Sequence, residues 1–538
     1  MKGCVEMRSG VPRRSFLGMG LGLGLGVGMD LPPGTETPSA WAHTHGAAAS
    51  GRTEYPAIVI GSGFGGAVCA LRLGQAGVDT LVLERGREWT TDPHRAVFGS
   101  QLDYSRKMFW FRPIAHWPLV LPFPMGPYAG MIEVSNERGI DIACAAGLGG
   151  GSLVYTCATV APPRKHFERI FPDGITYREM DSVWYPKAAA MLRPSVMPND
   201  IYASAPFTHS RVWDKHVGRA GYEPVKMPST FNWEVIRQEL LGTARASAIA
   251  GESDFGCSNG AKNSLTVNYL PAARATGHVT VQTLCEVESI GLGRPGTYTV
   301  TVRHIDTNGS LLEKIQYSCK WLFVCAGTLN TNRLLVAARD TGELPALDDS
   351  VGVGFGDNGD QFIGYGYIGE GGPSQGAPSA STIFTEEFVL PIRAENWHLM
   401  QLGQLPGIMT LTMTADPDPA NRGRFSYDSS TGKVTLSDWS GKSDAAAQAA
   451  SGFIDKVMNA NSNTIPAAIR WPCTFTPHPL GGCVLGKATD LYGRLRGYRG
   501  LYAVDGSLIP GNVGGANPSF TITALAERCI ADIIARKG

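Results

Sequence analysis

The chain has 538 residues, of which 67 are glycine and 35 proline, and 43% are apolar. Glycine at nearly twice the usual ~7%, with no G-X-Y period, excludes collagen, and the apolar content excludes bulk disorder. Lys+Arg and Asp+Glu are both 47, so the formal charge is zero. No basic excess is present to bind nucleic acid or anionic lipid. Charged residues are 17%, below the ~25% norm, which fits a large globule of two to four domains with much interior.

The N-terminus reads as an address. Arg13-Arg14 is followed by Ser15-Phe16-Leu17 and a run, residues 18–29, that alternates glycine with Leu, Val or Met. That run is too short to span a bilayer, which needs ~20 residues. Mild hydrophobicity behind paired arginines matches a Tat export signal, and Ala40-Trp41-Ala42 supplies an A-x-A site. The expectation is a secreted protein whose mature chain starts near His43. Eleven cysteines with no C-x-x-C offer no zinc or thioredoxin spacing, so no metal is expected and the thiols read as mostly buried and free.

After the signal, residues 56–60 form a short apolar strand followed at once by Gly61-Ser62-Gly63-Phe64-Gly65-Gly66. Residues 67–75 carry helical spacing, and residues 80–83 form a second apolar strand ending in Glu84, 18 positions past Gly66. This is β–turn–α–β with G-x-G-x-x-G in the turn. Gly61 permits the turn, Gly63 and Gly65 let backbone approach a pyrophosphate, and Gly66 lets the helix pack on the strand. Glu84 would accept from an adenosine ribose. The motif predicts dinucleotide binding, with FAD or NAD as the cofactor.

Three later segments favour FAD. The run from Gly147 through Gly149, Gly150 and Gly151 to Val154 offers free backbone amides to a planar or phosphorylated ligand. Residues 321–328 read as a strand ending in Ala-Gly, with a helix over 332–339. Upstream lie a strand over 280–287 that includes Val287 and a β meander over 297–304 and 311–317. A plain NAD domain would place a helix where this meander lies. At the C-terminus, residues 500–504 form a buried strand ending in Asp505-Gly506. Asn517-Pro518 then precedes a helix from residue 521, whose N-terminus favours negative charge.

At these residues the sequence resembles the glucose–methanol–choline oxidoreductases, and within them the FAD-dependent cholesterol oxidases of the non-covalent type. The likeness is densest at 61–86, 127–130, 149–154, 478–490 and 505–528. The resemblance implies an α/β fold, with an FAD-binding Rossmann-like domain of parallel sheet and β meander and a substrate domain of large mixed sheet covered by helices. The FAD domain would be discontinuous (55–90, 140–160, 265–345 and 478–538). The steroid-binding domain would take 91–139, 161–264 and 346–477, with residues 1–42 as the signal. The cofactor-binding residues would be Gly61, Gly63, Phe64, Gly65, Gly66, Glu84, Gly151, Tyr155, Val287, Asp505, Gly506 and Asn517.

The implied activity is oxidation of a sterol 3β-hydroxyl to a ketone, with O2 reduced to H2O2 and the Δ5 double bond moved to Δ4. Oxidation needs polar groups that hold the hydroxyl with its C–H aimed at the flavin. By pattern His478 and Asn517 match the family's active-site pair. Isomerisation needs a carboxylate in an apolar cavity, where its pKa rises. The stretch 381–387 resembles the family's segment around that base, and register favours Glu386 over its neighbour Glu387. Two departures stand out. Tyr155 replaces the family's flavin-facing asparagine, which keeps open a family dehydrogenase that acts on another bulky apolar alcohol and passes electrons to a quinone. The loop before Pro518 is also one residue longer, so that Ser519, with Phe520 beside it, falls where the family has phenylalanine. Phe109, Trp110, Phe111, Trp117 and Phe123 are candidates for an aromatic lid, and transient contact with a membrane surface and a monomeric state are expected. The glycines of 352–366 and 369–376 read as turns.

Overall fold

The computed structural model describes residues 51–99, 105–111, 114–115, 123–124, 126–398, 406–470 and 473–538. The expected export signal and Trp117 lie outside them. Among the described residues no helix is long and apolar enough to cross a membrane.

The chain starts in β1 (Glu54–Ile60), turns at Gly61 into α1 (Phe64–Gln75) and returns in β2 (Thr80–Leu83). Both strands are almost wholly buried, as parallel strands covered on two faces must be. β3 (Val279–Gln282) adds to β2, and β4 (Cys285–Leu292) and β5 (Tyr298–Ile305) open the meander. Leu284, at φ +58°, breaks the expected single strand over 280–287 into β3 and β4.

The next strand corrects a second boundary. Residues 311–317 and 321–324 are one element, β6 (Leu311–Val324), not two. Its first half pairs antiparallel with β5, and its second half pairs parallel with β1, Ile60 opposite Val324. One long strand thus joins the meander to the parallel sheet. α2 (Gly327–Asp340) begins earlier than the periodicity predicts, because Asp505 Oδ2 accepts from its first amide at 3.0 Å.

The chain then builds a second, antiparallel sheet from β7 (Gln361–Tyr367), β8 (Ser381–Thr385), β9 (Ile392–Trp397), β10 (Gly407–Thr414) and β11 (Thr464–Arg470), with α3 (Asp444–Asn459) between the last two. Their order is β11-β7-β10-β9-β8, with Val225–Lys226 at the edge. Alternation sorts the side chains. Ile363, Tyr365, Ile392, Ala394 and Ile408 pack under α3 and the helix Thr208–Arg219. Phe362, Met409, Leu411 and Met413 face the other way. The glycines expected as turns include Gly364 and Gly366, which lie inside β7. A Cβ on Gly364 would stand 2.3 Å from the carbonyl oxygen of Ile408.

Finally β12 (Leu501–Ala503) returns to the first sheet beside β6, and α4 (Pro518–Ala535) closes against α1. Bidentate bonds from Arg72 to the fully buried Glu527, at 2.8 and 2.6 Å, tie α1 to α4. The result is the expected α/β fold, with a parallel, meander-bearing sheet and a large second sheet. The described residues hold ten free cysteines, eight of them buried, and no disulfide.

Candidate active site

The carboxyl ends of β1, β2 and β6 open onto a cavity of about 1130 Å³. Ligands in open α/β sheets bind at such strand ends. Three helix N-termini meet there: Gly63 and Phe64 of α1, Gly327 and Thr328 of α2, and Pro518 and Ser519 of α4. Together they concentrate free amides and positive dipole ends on one space, which suits an anionic ligand.

The glycine loop is built for close approach. A Cβ on Gly65 would stand 1.7 Å from the Val504 carbonyl oxygen, so α1 can pack on the strand end only with glycine here. A Cβ on Gly150 would meet the Cα of Gly63 at 2.6 Å, so the two glycine runs lie back to back. Ser62 Oγ joins them, accepting from the Gly149 amide at 3.0 Å and donating to Glu84 Oε2 at 2.6 Å. Glu84 also accepts from the amides of Ser62 and Gly86, at 3.1 and 2.9 Å. Burial raises its pKa, and these bonds oppose the rise. Asp505 is likewise buried. It accepts from Ser507 and Gly327 amides and from Thr331 Oγ1, the last at 2.5 Å.

Of the expected cofactor residues, Gly61, Gly63, Phe64, Gly65, Glu84, Gly151, Tyr155, Val287, Asp505, Gly506 and Asn517 all line the cavity. Gly66 does not. It sits one layer back, where a Cβ would meet the Gly61 carbonyl oxygen at 2.0 Å. The cavity exceeds the 300–1,000 Å³ of a single small-molecule site. It has room for a dinucleotide together with a second molecule, and the glycine cradle fits a pyrophosphate.

Beyond the cradle the wall turns apolar, with Phe362, Trp397, Met409 and Phe475. His478 and Asn517 stand where the two halves meet and both line the cavity. His478 Nδ1 lies 2.9 Å from Oδ1 of Asp360, whose side chain is fully buried and whose Oδ2 accepts from Thr476 Oγ1 at 2.7 Å. A carboxylate can only accept, so Nδ1 carries the hydrogen and Nε2 is left with its lone pair. Asn517 Nδ2 donates to Glu395 Oε2 at 3.3 Å, while Asn517 Oδ1 and Glu395 Oε1 are buried without a partner among the described residues.

Glu386 does not reach this site. Its side chain is 45% exposed and paired with Lys165 Nζ at 2.5 Å and His166 Nε2 at 2.9 Å. The Lys165 contact, with His166, holds its carboxyl below the usual range, opposite to what a base in an apolar cavity requires. Glu387 points outward too, to Lys456 Nζ at 2.8 Å. There the ammonium and the Tyr222 hydroxyl outweigh modest burial and lower its pKa. The buried carboxylate beside this site is Glu395 on β9, which does not itself border the cavity but touches Asn517, which does. It is 0% exposed, and burial pushes its pKa up to about 7 against the pull of Arg393 and Asn517. The sequence held a signal for it, because Glu395 shares the parity of cavity-facing Trp397 in a strand buried on both faces.

Tyr155 lines the cavity with its ring edge-on to Phe64 at 5.4 Å and its hydroxyl 2.6 Å from Thr230 Oγ1. Of the expected aromatic lid, Trp117 and the Phe123 side chain lie outside what is described, and the other three residues are not part of the wall. Phe109 is 1% exposed in a separate core with Trp89, Phe98 and Tyr128, and neither Trp110 nor Phe111 borders the cavity.

Strand-end crevice, glycine cradle and meander together define a dinucleotide-binding oxidoreductase. The comparisons carry this further. The family model for GMC oxidoreductase matches residues 226–338 and 419–526, and that for the NAD(P)-binding Rossmann-like domain matches 59–116. Over 226–338 and 419–526 the chain is similar to the GMC oxidoreductases, a family of alcohol-oxidising flavoproteins. A cholesterol oxidase of Acinetobacter baumannii is 24% identical, with 90% of this chain and 95% of that one aligned. A cholesterol oxidase of Mycobacterium tuberculosis is 27% identical over 90% of this chain and 92% of its own. Among solved structures, pyridoxine 4-oxidase from Mesorbium loti superposes with a TM-score of 0.60 at 13% identity, covering 89% of this chain and 99% of that one. A fungal aryl-alcohol oxidase gives 0.58 at 14%, covering 90% and 100%.

Proposed function

We propose that the protein is an FAD-dependent sterol oxidase that converts a 3β-hydroxyl to a ketone and moves the Δ5 double bond to Δ4. The observation that carries this reading is the cluster of His478, Asn517 and Glu395 where an apolar wall meets a dinucleotide cradle. Bound FAD would supply the hydride acceptor and hand the two electrons on to O2, giving H2O2. His478 Nε2 takes the hydroxyl proton. Asp360 keeps the ring in the tautomer that permits this and stabilises the imidazolium that forms, as an acid does behind a catalytic histidine. Asn517 Nδ2 has a second hydrogen beside the one given to Glu395, and it donates to the hydroxyl oxygen and orients it. Glu395 is half-ionised near neutral pH, where a general base works best, and it carries a proton from C4 to C6 with no net change in composition. The cholesterol oxidases of similar length support the sterol as substrate. The twin-arginine leader supports export, with a mature chain starting near His43.

The test is peroxide release by the yellow holoenzyme from cholesterol and from non-steroid alcohols, beside reduction of a quinone-type dye. Cholesterol-dependent peroxide is expected. Dye reduction without peroxide would favour the dehydrogenase reading that Tyr155 keeps open, and no turnover of cholesterol would overturn the sterol assignment.

A further inference from the structure

The apolar wall carries one polar interruption. His398 follows Trp397 at the end of β9 and is 3% exposed, and it lines the cavity with Asp254. Its Nε2 stands 3.1 Å from Asp254 Oδ2, and its Nδ1 makes no hydrogen bond among the described residues. Ser253, just before Asp254, is fixed by the buried Lys262, whose Nζ donates to the Ser253 carbonyl at 2.5 Å. Asp254 is therefore held in place. A purely hydrocarbon ligand would leave His398 Nδ1 dry and without a partner, an arrangement that buried polar groups avoid.

Their position gives the pair a meaning. Glu395, which touches Asn517 at the reacting end, lies three residues before His398 on the same segment. At ~3.3 Å per residue the backbone between them spans at most about 10 Å, on the order of the length of a fused four-ring nucleus. We propose that His398 and Asp254 form a second polar subsite, and that the preferred substrate is a steroid bearing a hydrogen-bonding oxygen at the end remote from the oxidised hydroxyl. Asp254 Oδ2 can only accept, so it holds the hydrogen on Nε2 and leaves Nδ1 to accept from a hydroxyl at that position. This inference rests on the sterol reading above and narrows it from sterols with an alkyl tail to steroids polar at both ends.

The test compares kcat/KM for two steroids that share the 3β-hydroxy-Δ5 rings. Cholesterol carries an alkyl chain on the last ring, and androst-5-ene-3β,17β-diol carries a hydroxyl there. Wild type is expected to favour the diol about tenfold, roughly the net worth of one neutral hydrogen bond. His398→Phe should lower that ratio about tenfold, and His398→Gln, which keeps a hydrogen-bonding group, should retain most of it. Asp254→Asn gives a second reading of the same ratio if the phenylalanine variant fails to bind flavin. A wild-type preference for cholesterol, or a ratio unmoved in His398→Phe and Asp254→Asn alike, would overturn the subsite while leaving the sterol oxidase intact. Turnover of neither steroid would overturn the sterol reading and the subsite with it.

Discussion

The two ends of the cavity are built in opposite ways. The dinucleotide end is made of contiguous turns: Gly61 to Gly65, Glu84, Gly150-Gly151, Asp505-Gly506, each placing neighbouring residues on the cavity. The substrate end is made of single side chains from distant places. Asp360 comes from just before β7, Glu395 from the middle of β9, His478 from a turn and Asn517 from the residue before α4. Backbone cradles tolerate no side-chain atoms, whereas a wall of side chains tolerates substitution but changes chemistry. Variants should therefore divide into those that lose the cofactor and those that keep it and lose a step.

The largest effect is expected at the cradle. Gly65→Ala forces a methyl group to within 1.7 Å of the Val504 carbonyl oxygen, a backbone clash without relief, costing about 3 kcal/mol or more. It should purify without flavin absorbance and unfold earlier in denaturant. A yellow, stable Gly65→Ala protein would break the contrast at its strongest point. At the other end, His478→Ala should keep flavin and lose about 10²–10⁴-fold in kcat for alcohol oxidation. Asp360→Asn should follow at about 10²-fold, with KM little changed and a shifted pH profile, because it disturbs the tautomer rather than the binding surface. A fall in flavin content equal to the fall in kcat would mark Asp360 as merely structural.

Glu395→Gln should spare oxidation and release the unconjugated ketone, read from the missing ultraviolet band of the conjugated product. The sign of its pH dependence follows from burial. With the carboxyl pushed up to about 7, the basic form grows as pH rises from 6 to 8, so wild-type isomerisation should climb through that window and fade below it. The smallest effect is expected for Glu386→Gln. An exposed ion pair contributes little, so both activities should stay within about twofold of wild type.

The same contrast explains what could be read from the sequence. The G-x-G-x-x-G loop, its strand, its helix and its acid lie within one short stretch, and local spacing dictates their geometry. The boundaries that shifted are those set by distant partners. β6 runs unbroken because β1 and β5 grip its two halves, and α2 starts early because Asp505, far along the chain, receives its first amide. Glu386 and Glu395 lie nine positions apart, and a local likeness pointed to the exposed one. What separates them is that Glu386 lies just past the end of β8, whereas Glu395 sits inside β9 with β8 and β10 paired on either side. The pairs Asp360–His478 and Asp254–His398 span over a hundred positions each and leave no mark on local pattern.

Glu527 bears on how this molecule comes into being. It receives Arg72 from the first helix, Tyr269 OH at 2.9 Å and Lys187 Nζ at 3.1 Å, and it is the last turn of the chain but two that all of them await. A nascent chain leaving the ribosome at ~5–20 residues per second cannot make this knot until nearly all of it has emerged. Until then the first glycine loop has neither Val504 behind it nor α4 beside it, and the crevice has only one wall. Cofactor capture is therefore an event after synthesis, and a transport route that threads its cargo as an open strand would have to undo the same knot to move the finished holoenzyme.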